Sequence, residues 1–214
     1  MSNFTFAEGV MLRDYITQSS KNRTVYIMRI ISGTAKGRKI IVPKGVDVRP
    51  TTDRVREALF GHLGSKIENA DILDLFGGSG SLGFEAISRS ARHVLFVERS
   101  KKVAFNLKQN IETLGFKDKS TVIIADAISF LNRVKNNGHC YDLIFLDPPY
   151  RTELLNKTLK IISTSKIICS NTVIVAEYPS DLNPQILSPL KIIKTKKYGK
   201  TSITTIKWQK TDGE

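Results

Sequence analysis

The sequence predicts an α/β fold in which a mostly parallel central sheet carries helices on both faces, with a small N-terminal β-hairpin/helix appendage. Three observations carry that reading. From residue 71 onward, short apolar runs alternate with amphipathic stretches, the order of strand and helix that a parallel sheet requires. Four of those runs end in an acidic residue or are closely followed by one: Asp74, Glu98, Asp126 and Asp147. The chain has 214 residues, enough for one sizeable core and a minor attachment.

Residues 1–27 show no clear periodicity and read as an extension without assigned role, for which disorder is one reading. The pattern changes at Met28, which also stands as an alternative start. Arg29-Ile-Ile-Ser-Gly33 and Lys39-Ile-Ile-Val42 look like two short strands around the turn Thr34-Ala-Lys-Gly37-Arg38. Pro43 and Gly45 then break the chain. Thr52 is a candidate cap for a helical run from Asp53 with Val55, Leu59 and Leu63 on one face. Residues 28–66 therefore form the basic hairpin and helix appendage, and 67–210 the main domain. In that domain strands are expected at 71–76, 93–98, 120–125, 141–146 and 172–177. Helices are expected at 81–90 and 101–113 and near 127–135 and 152–162, before a lysine-rich end containing the run Ser202–Trp208.

Composition narrows the class. Hydrophobic residues make up 41% and charged residues 25%, and no apolar run approaches the roughly 20 residues of a bilayer span. The first 21 residues lack an apolar core and a small-residue cleavage site, so they do not read as a secretory signal and a cytoplasmic location is expected. Cys140 and Cys169 are far apart in sequence and lack ligand spacing, although His139 adjoins Cys140, so neither a metal site nor a disulfide framework is expected. The net charge of +13 is informative because it is uneven. Residues 28–66 hold nine cations and three anions, residues 181–210 seven and one, and residues 67–180 fourteen and twelve. A near-neutral centre between basic ends suits a site flanked by a grip for a polyanion such as nucleic acid. The candidate phosphate contacts are Arg29, Arg38, Lys39, Arg49, Arg54 and Arg56 at one end and Lys194, Lys196, Lys197 and Lys200 at the other. A solubility face is the plain alternative.

Chemistry is expected where parallel strands end. The first strand runs into Asp74-Leu75-Phe76-Gly77-Gly78-Ser79-Gly80, small residues that let a ligand approach the backbone. Glu98, followed by Arg99, can accept hydrogen bonds from ribose hydroxyls, and Asp126 with Ala127 can meet an adenine amine, a helix cap at Asp126 being the plain alternative and compatible with it. Those features alone leave both NAD and S-adenosylmethionine open. Asp74 before the glycines suits the ammonium of a methionine moiety and would repel a pyrophosphate. The deciding motif is Asp147-Pro148-Pro149-Tyr150. Its prolines remove two amide donors, so the Asp147 carboxylate and the Pro148 carbonyl can accept both hydrogens of an exocyclic amine while Tyr150 stacks on the base.

That motif resembles the amino methyltransferases that act on adenine N6, cytosine N4 or guanine N2. Arg29-Ile-Ile-Ser-Gly33, Gly37-Arg38-Lys39, Arg49-Pro-Thr-Thr-Asp-Arg-Val-Arg-Glu57, Asp74–Gly83 and Asp147–Tyr150 together are similar to the RsmD family, over about residues 28–208. The resemblance implies a Rossmann-like S-adenosylmethionine-dependent methyltransferase fold, S-adenosylmethionine as donor, and a guanine N2 in 16S ribosomal RNA of the small subunit as acceptor. Asp147, Pro148, Pro149 and Tyr150 are the expected catalytic residues. The cofactor is expected on residues 74–80, Glu98, Arg99, Asp126, Ala127 and Asp147. An ordinary Asp pKa would make Asp147 a weak base, leaving positioning as the main source of rate. A DNA or RNA adenine-N6 methyltransferase and a non-catalytic RNA-binding assembly factor are the alternatives. The small single domain suggests a monomer.

Overall fold

The computed structural model describes residues 16–19, 23–43, 53–149 and 153–209. A seven-stranded sheet organises the main domain. Its strands are β4 (Asp71–Asp74), β5 (His93–Glu98), β6 (Ser120–Ile124), β7 (Leu143–Leu146), β8 (Val173–Pro179), β9 (Leu190–Tyr198) and β10 (Thr201–Trp208), in the order β6-β5-β4-β7-β8-β10-β9. The five strands from β6 to β8 are parallel, and β10 and β9 close the sheet antiparallel. The helices are α1 (Asp53–Leu63), α2 (Ser81–Ser88), α3 (Lys101–Leu114), α4 (Ala127–Val134) and α5 (Glu153–Ser163). Side-chain alternation divides the apolar residues between two faces. Ile72, Phe96, Phe145 and Val175 meet α1, α2 and α3, whereas Leu73, Val97, Ile144 and Ile174 meet α4 and α5. β7 is buried on both faces at every residue, which is why it reads as an unbroken apolar run.

The helix ends follow their sequence. Ser100 accepts a hydrogen bond from the Val103 amide (3.4 Å) at the start of α3, Asp126 accepts one from the Ser129 amide (3.0 Å) at the start of α4, and Gly115 ends α3 in the left-handed region. Thr52, the expected cap of α1, lies outside the described residues.

The appendage departs from expectation. A three-stranded sheet, β1 (Ile16–Ser19), β2 (Arg23–Arg29) and β3 (Lys39–Pro43), places its first strand and most of its second within the stretch read as an extension. β2 ends at Arg29, so Ile30–Gly33 is not the first strand of the hairpin. The physical reason is Glu85, a fully buried carboxylate on α2 that takes the amide hydrogens of Ile31 (2.8 Å) and Ser32 (3.0 Å), removing them from any ladder. Ser88 adds bonds to Ala35 N and Ser32 O. Gly33 sits at φ +84°, and a Cβ there would lie 1.8 Å from the Ser88 carbonyl oxygen, so only glycine fits. Asn110 of α3 bonds both backbone groups of Ile41.

β9 was also missed by sequence reading, because seven of its nine residues are exposed and four are lysines. The fold brings Cys140 and Cys169 into side-chain contact despite their separation in sequence. Both are free thiols, and burial together with the Cys169 contact pushes Cys140 up to about 11.

Candidate active site

The chain leaves β4 towards β5 and β6 on one side and returns to β7 and β8 on the other, which opens a crevice at the carboxyl ends of β4 and β7. Asp74 is the last residue of β4, and Asp147 is the first after β7. Asp74 pairs with Phe145, and side chains two residues apart share a face. Asp74 and Asp147 therefore flank the crevice on the same face of the sheet. A third carboxylate joins them. Leu146 pairs with Ala176, so the next register position sets Glu177 beside Asp147, with Glu177 5% exposed. Sequence reading placed Glu177 at the end of a strand without adding it to the site, although it satisfies the same rule that singled out the other four acids.

Burial governs the electrostatics here. Asp74 is pushed up to about 7, chiefly by desolvation, with the backbone amides of Gly83 and Phe76 pulling it down and Glu98 adding a smaller upward push. Asp147 lies well above the usual carboxylate range, first through burial and then through repulsion from Glu177 and Asp74. The expectation of an ordinary Asp147 is thus corrected. Pro148 is buried and Pro149 exposed; Tyr150 lies outside the described residues.

The loop after Asp74 is held against β5. Leu75 is buried and Phe76 half-buried, the Gly77 amide bonds the Val97 carbonyl (2.8 Å), and the Gly80 amide bonds that of Gly77 (2.7 Å). Gly80, at φ +80°, faces Leu107 and Phe84 so closely that a Cβ would meet each at 2.5 Å. Glu98 fixes both sides of the entrance, one oxygen accepting from Gly78 N (3.0 Å) and the other from Ser100 N (2.7 Å). Those bonds orient the carboxylate and leave lone pairs for a diol. Ser79 is buried and Arg99 exposed. Asp126 and Ala127 begin α4 two strands from β4. Asp74, the residue 77–80 loop, Glu98 and Asp126 thus line one end of the sheet in order, a set of carboxylate acceptors and backbone groups that fits an amino acid, a ribose and a purine in succession. Among the described residues no group of three or more His, Cys, Asp or Glu could hold a metal ion.

The expected phosphate contacts divide. Arg56 is fully buried; its Nη2 donates to Asp53 (2.6 Å) and to the Arg29 carbonyl (2.9 Å), while Nε and Nη1 have no hydrogen-bond partner among the described residues. A guanidinium enclosed in this way is removed from the surface grip. Arg38 is exposed but donates to the Leu114 carbonyl (2.7 Å) and to that of Thr113, closing the end of α3. Arg29, Lys39 and Arg54 are exposed, and Arg49 lies outside the described residues. On the other side, registers run Lys194–Thr205–Val175–Phe145–Asp74 and Lys196–Ile203–Glu177. Lys194 and Lys196 thus share the face of the crevice acids, Lys197 takes the opposite face, and Lys200 sits in the turn at the site end of the sheet. Lys194 and Lys196 also hold His62 of α1 below its ordinary value, after burial, the largest cause.

Comparison with known proteins identifies the family. The family described as Conserved hypothetical protein 95 matches residues 28–207. Ribosomal RNA small subunit methyltransferase D of Haemophilus influenzae is 40% identical over 155 residues, 72% of this chain and 80% of that protein. The protein of the same name from Escherichia coli K12 is 39% identical over 150 residues, 70% and 74% of the two chains. The solved structure of yhhF from Escherichia coli superposes with a TM-score of 0.76 at 32% identity, over 86% of this chain and 98% of that one. By the extent of these matches, and by the motifs they span, the chain belongs to the RsmD family.

Proposed function

We propose that the chain transfers a methyl group from S-adenosylmethionine to the exocyclic N2 amine of a guanine in 16S ribosomal RNA, working in the cytoplasm on the small subunit or its assembly intermediate. The observation that carries the reading is the placement of Asp147-Pro148-Pro149 across the crevice from Asp74, in a chain whose relatives are named as small subunit methyltransferases. When bound, S-adenosylmethionine supplies an electrophilic methyl group. Asp74 takes its ammonium, Glu98 its ribose hydroxyls, and Asp126 with Ala127 its adenine. Leu75, Phe76, the loop at 77–80 and Arg99 line the approach.

The amine to be methylated is a poor nucleophile, because its lone pair is delocalised into the ring. The Asp147 carboxylate and the Pro148 carbonyl accept its hydrogens and bend it towards tetrahedral geometry, and Tyr150 stacks on the ring. Positive charge grows on N2 as the bond forms, and the half-buried Asp147 carboxylate stabilises that charge more in the transition state than before it. The raised pKa of Asp147 brings it nearer to a useful base than an exposed Asp, so it can take the proton that N2 releases. A target inside a helix must first leave its stack. Lys194, Lys196 and Lys200, with Arg29, Lys39, Arg49 and Arg54, hold the backbone, and Lys197 meets it from the far face.

The test is transfer of labelled methyl from S-adenosylmethionine to undermethylated small-subunit particles, followed by nucleoside analysis. Label is expected in N2-methylguanosine with the wild type and absent with Asp147→Ala. Label in N6-methyladenosine would move the substrate to adenine, and no label on particles, naked rRNA or DNA would leave an RNA-binding factor.

A further inference from the structure

Glu177 is buried beside the base-reading motif and has no part in the cofactor layout. It stands at the register position next to Asp147, on the adjacent parallel strand and the same face, where neighbouring strands lie about 4.8 Å apart. On its other flank β10 presents the apolar, buried Ile203, and on the crevice side Glu177 lies close enough to Asp147 to repel its charge. An ionised carboxylate accepts at about four lone-pair positions, so a donor of the protein and a donor of a base can share it.

The chemistry of the four bases gives this second acceptor a meaning. The exocyclic amine of adenine is flanked by N1 and that of cytosine by N3, both bare acceptors. Only guanine carries a ring N–H next to its amine. We infer that Glu177 is a specificity-determining residue that accepts the N1–H of the target guanine while Asp147 and Pro148 accept the hydrogens of its N2 amine. The inference rests on the guanine reading above and extends it by naming how the base is chosen. An adenine or cytosine placed with its amine at Asp147 would turn a ring lone pair towards a carboxylate, and a site built for a donor rejects an analogue that lacks it by a large factor. The same contact fixes which edge of the base faces β8. A donor-rich base edge also relieves the repulsion between the two neighbouring acids that Asp147 registers.

The experiment uses small-subunit particles reconstituted with either guanosine or 2-aminopurine riboside at the methylated position. 2-Aminopurine keeps the N2 amine, but its N1 is an acceptor. Wild-type kcat/KM is expected to favour guanine by about 100-fold or more. Glu177→Gln supplies an amide donor that suits the N1 of 2-aminopurine, so it should lower transfer to guanine and narrow the preference by about tenfold or more. Binding of S-adenosylhomocysteine and the melting temperature serve as controls for folding. A wild-type preference below about threefold, or a preference unchanged in Glu177→Gln while guanine is still methylated, overturns the role of Glu177 and leaves the guanine reading intact. 2-Aminopurine also lacks O6, so a wild-type preference supports Glu177 only where Glu177→Gln narrows it, whereas an absent wild-type preference overturns the role even where the variant does not fold. Wild-type label in adenosine instead overturns both.

Discussion

Asp74 is expected to couple cofactor binding to pH near neutrality. Its carboxyl is buried and pushed up to about 7, so in the free protein it is about half protonated at neutral pH. An ammonium group favours the ionised form, and binding therefore expels the proton. If only ionised Asp74 binds, the association constant for S-adenosylhomocysteine rises about 25-fold between about pH 5.5 and about pH 7.5, close to 2 kcal/mol, and flattens above that range. Titration calorimetry in buffers of differing ionisation enthalpy measures both the affinity and the protons released. Asp74→Asn should bind more weakly above neutrality and lose most of the pH dependence. A wild-type affinity that varies less than about threefold over the range, or a dependence that survives in Asp74→Asn, would refute the assignment of that carboxyl to the ammonium.

Three further predictions concern stability and RNA binding. A folded-state pKa above the ordinary 3.8 means that the folded Asp74 holds its proton more tightly than the unfolded chain, so its contribution to stability is lost as pH rises from about 4 to about 7. Asp74→Asn should thus gain relative to wild type in urea unfolding over that interval, by up to about 4 kcal/mol, and a constant difference would count against it. Gly33→Ala should cost about 3 kcal/mol or more, because a left-handed conformation and a collision combine. Gly37→Ala, at φ +81° with nothing within 4 Å of its Cβ, should cost only about 1–2 kcal/mol, and equal losses in the two variants would remove the Ser88 contact from the explanation. Finally, Lys194→Ala/Lys196→Ala should flatten the salt dependence of RNA binding by nearly two units of log-log slope. Lys197→Ala, on the other face, should do less; equal effects would mean that the RNA does not follow the crevice face.

The sequence exposed the parts of the fold whose burial is symmetrical or whose ends are marked. β7 is a four-residue apolar run buried throughout, and α3 opens on Ser100 and closes on Gly115, so both were legible. The acids at strand ends were legible because parallel topology turns a linear spacing into one edge. What stayed hidden depended on partners distant in the chain. Ile30–Gly33 has strand-like composition, but Glu85, more than fifty residues away, captures its amides. Arg56 looks like its exposed neighbour Arg54 until the helix turns it inward against Asp53 and the Arg29 carbonyl. Glu177 became a site residue through the pairing of β8 with β7, which periodicity does not specify.

The lysines of β9 have a consequence for solubility that is separate from any ligand. β9 is an outer strand of the sheet among the described residues, and it carries Ile192 and Ile193 at 44% and 52% exposure between Lys191 and Lys194. Unpaired strand edges recruit other strands, and charged flanks are a common defence against that. Each lysine removed to weaken a grip on RNA also strips the guard from two exposed isoleucines. A variant with all four lysines of β9 replaced by alanine would present an uncharged edge of nine residues, polar only at Thr195 and the Tyr198 hydroxyl, and its first observable property should be self-association rather than a change in affinity.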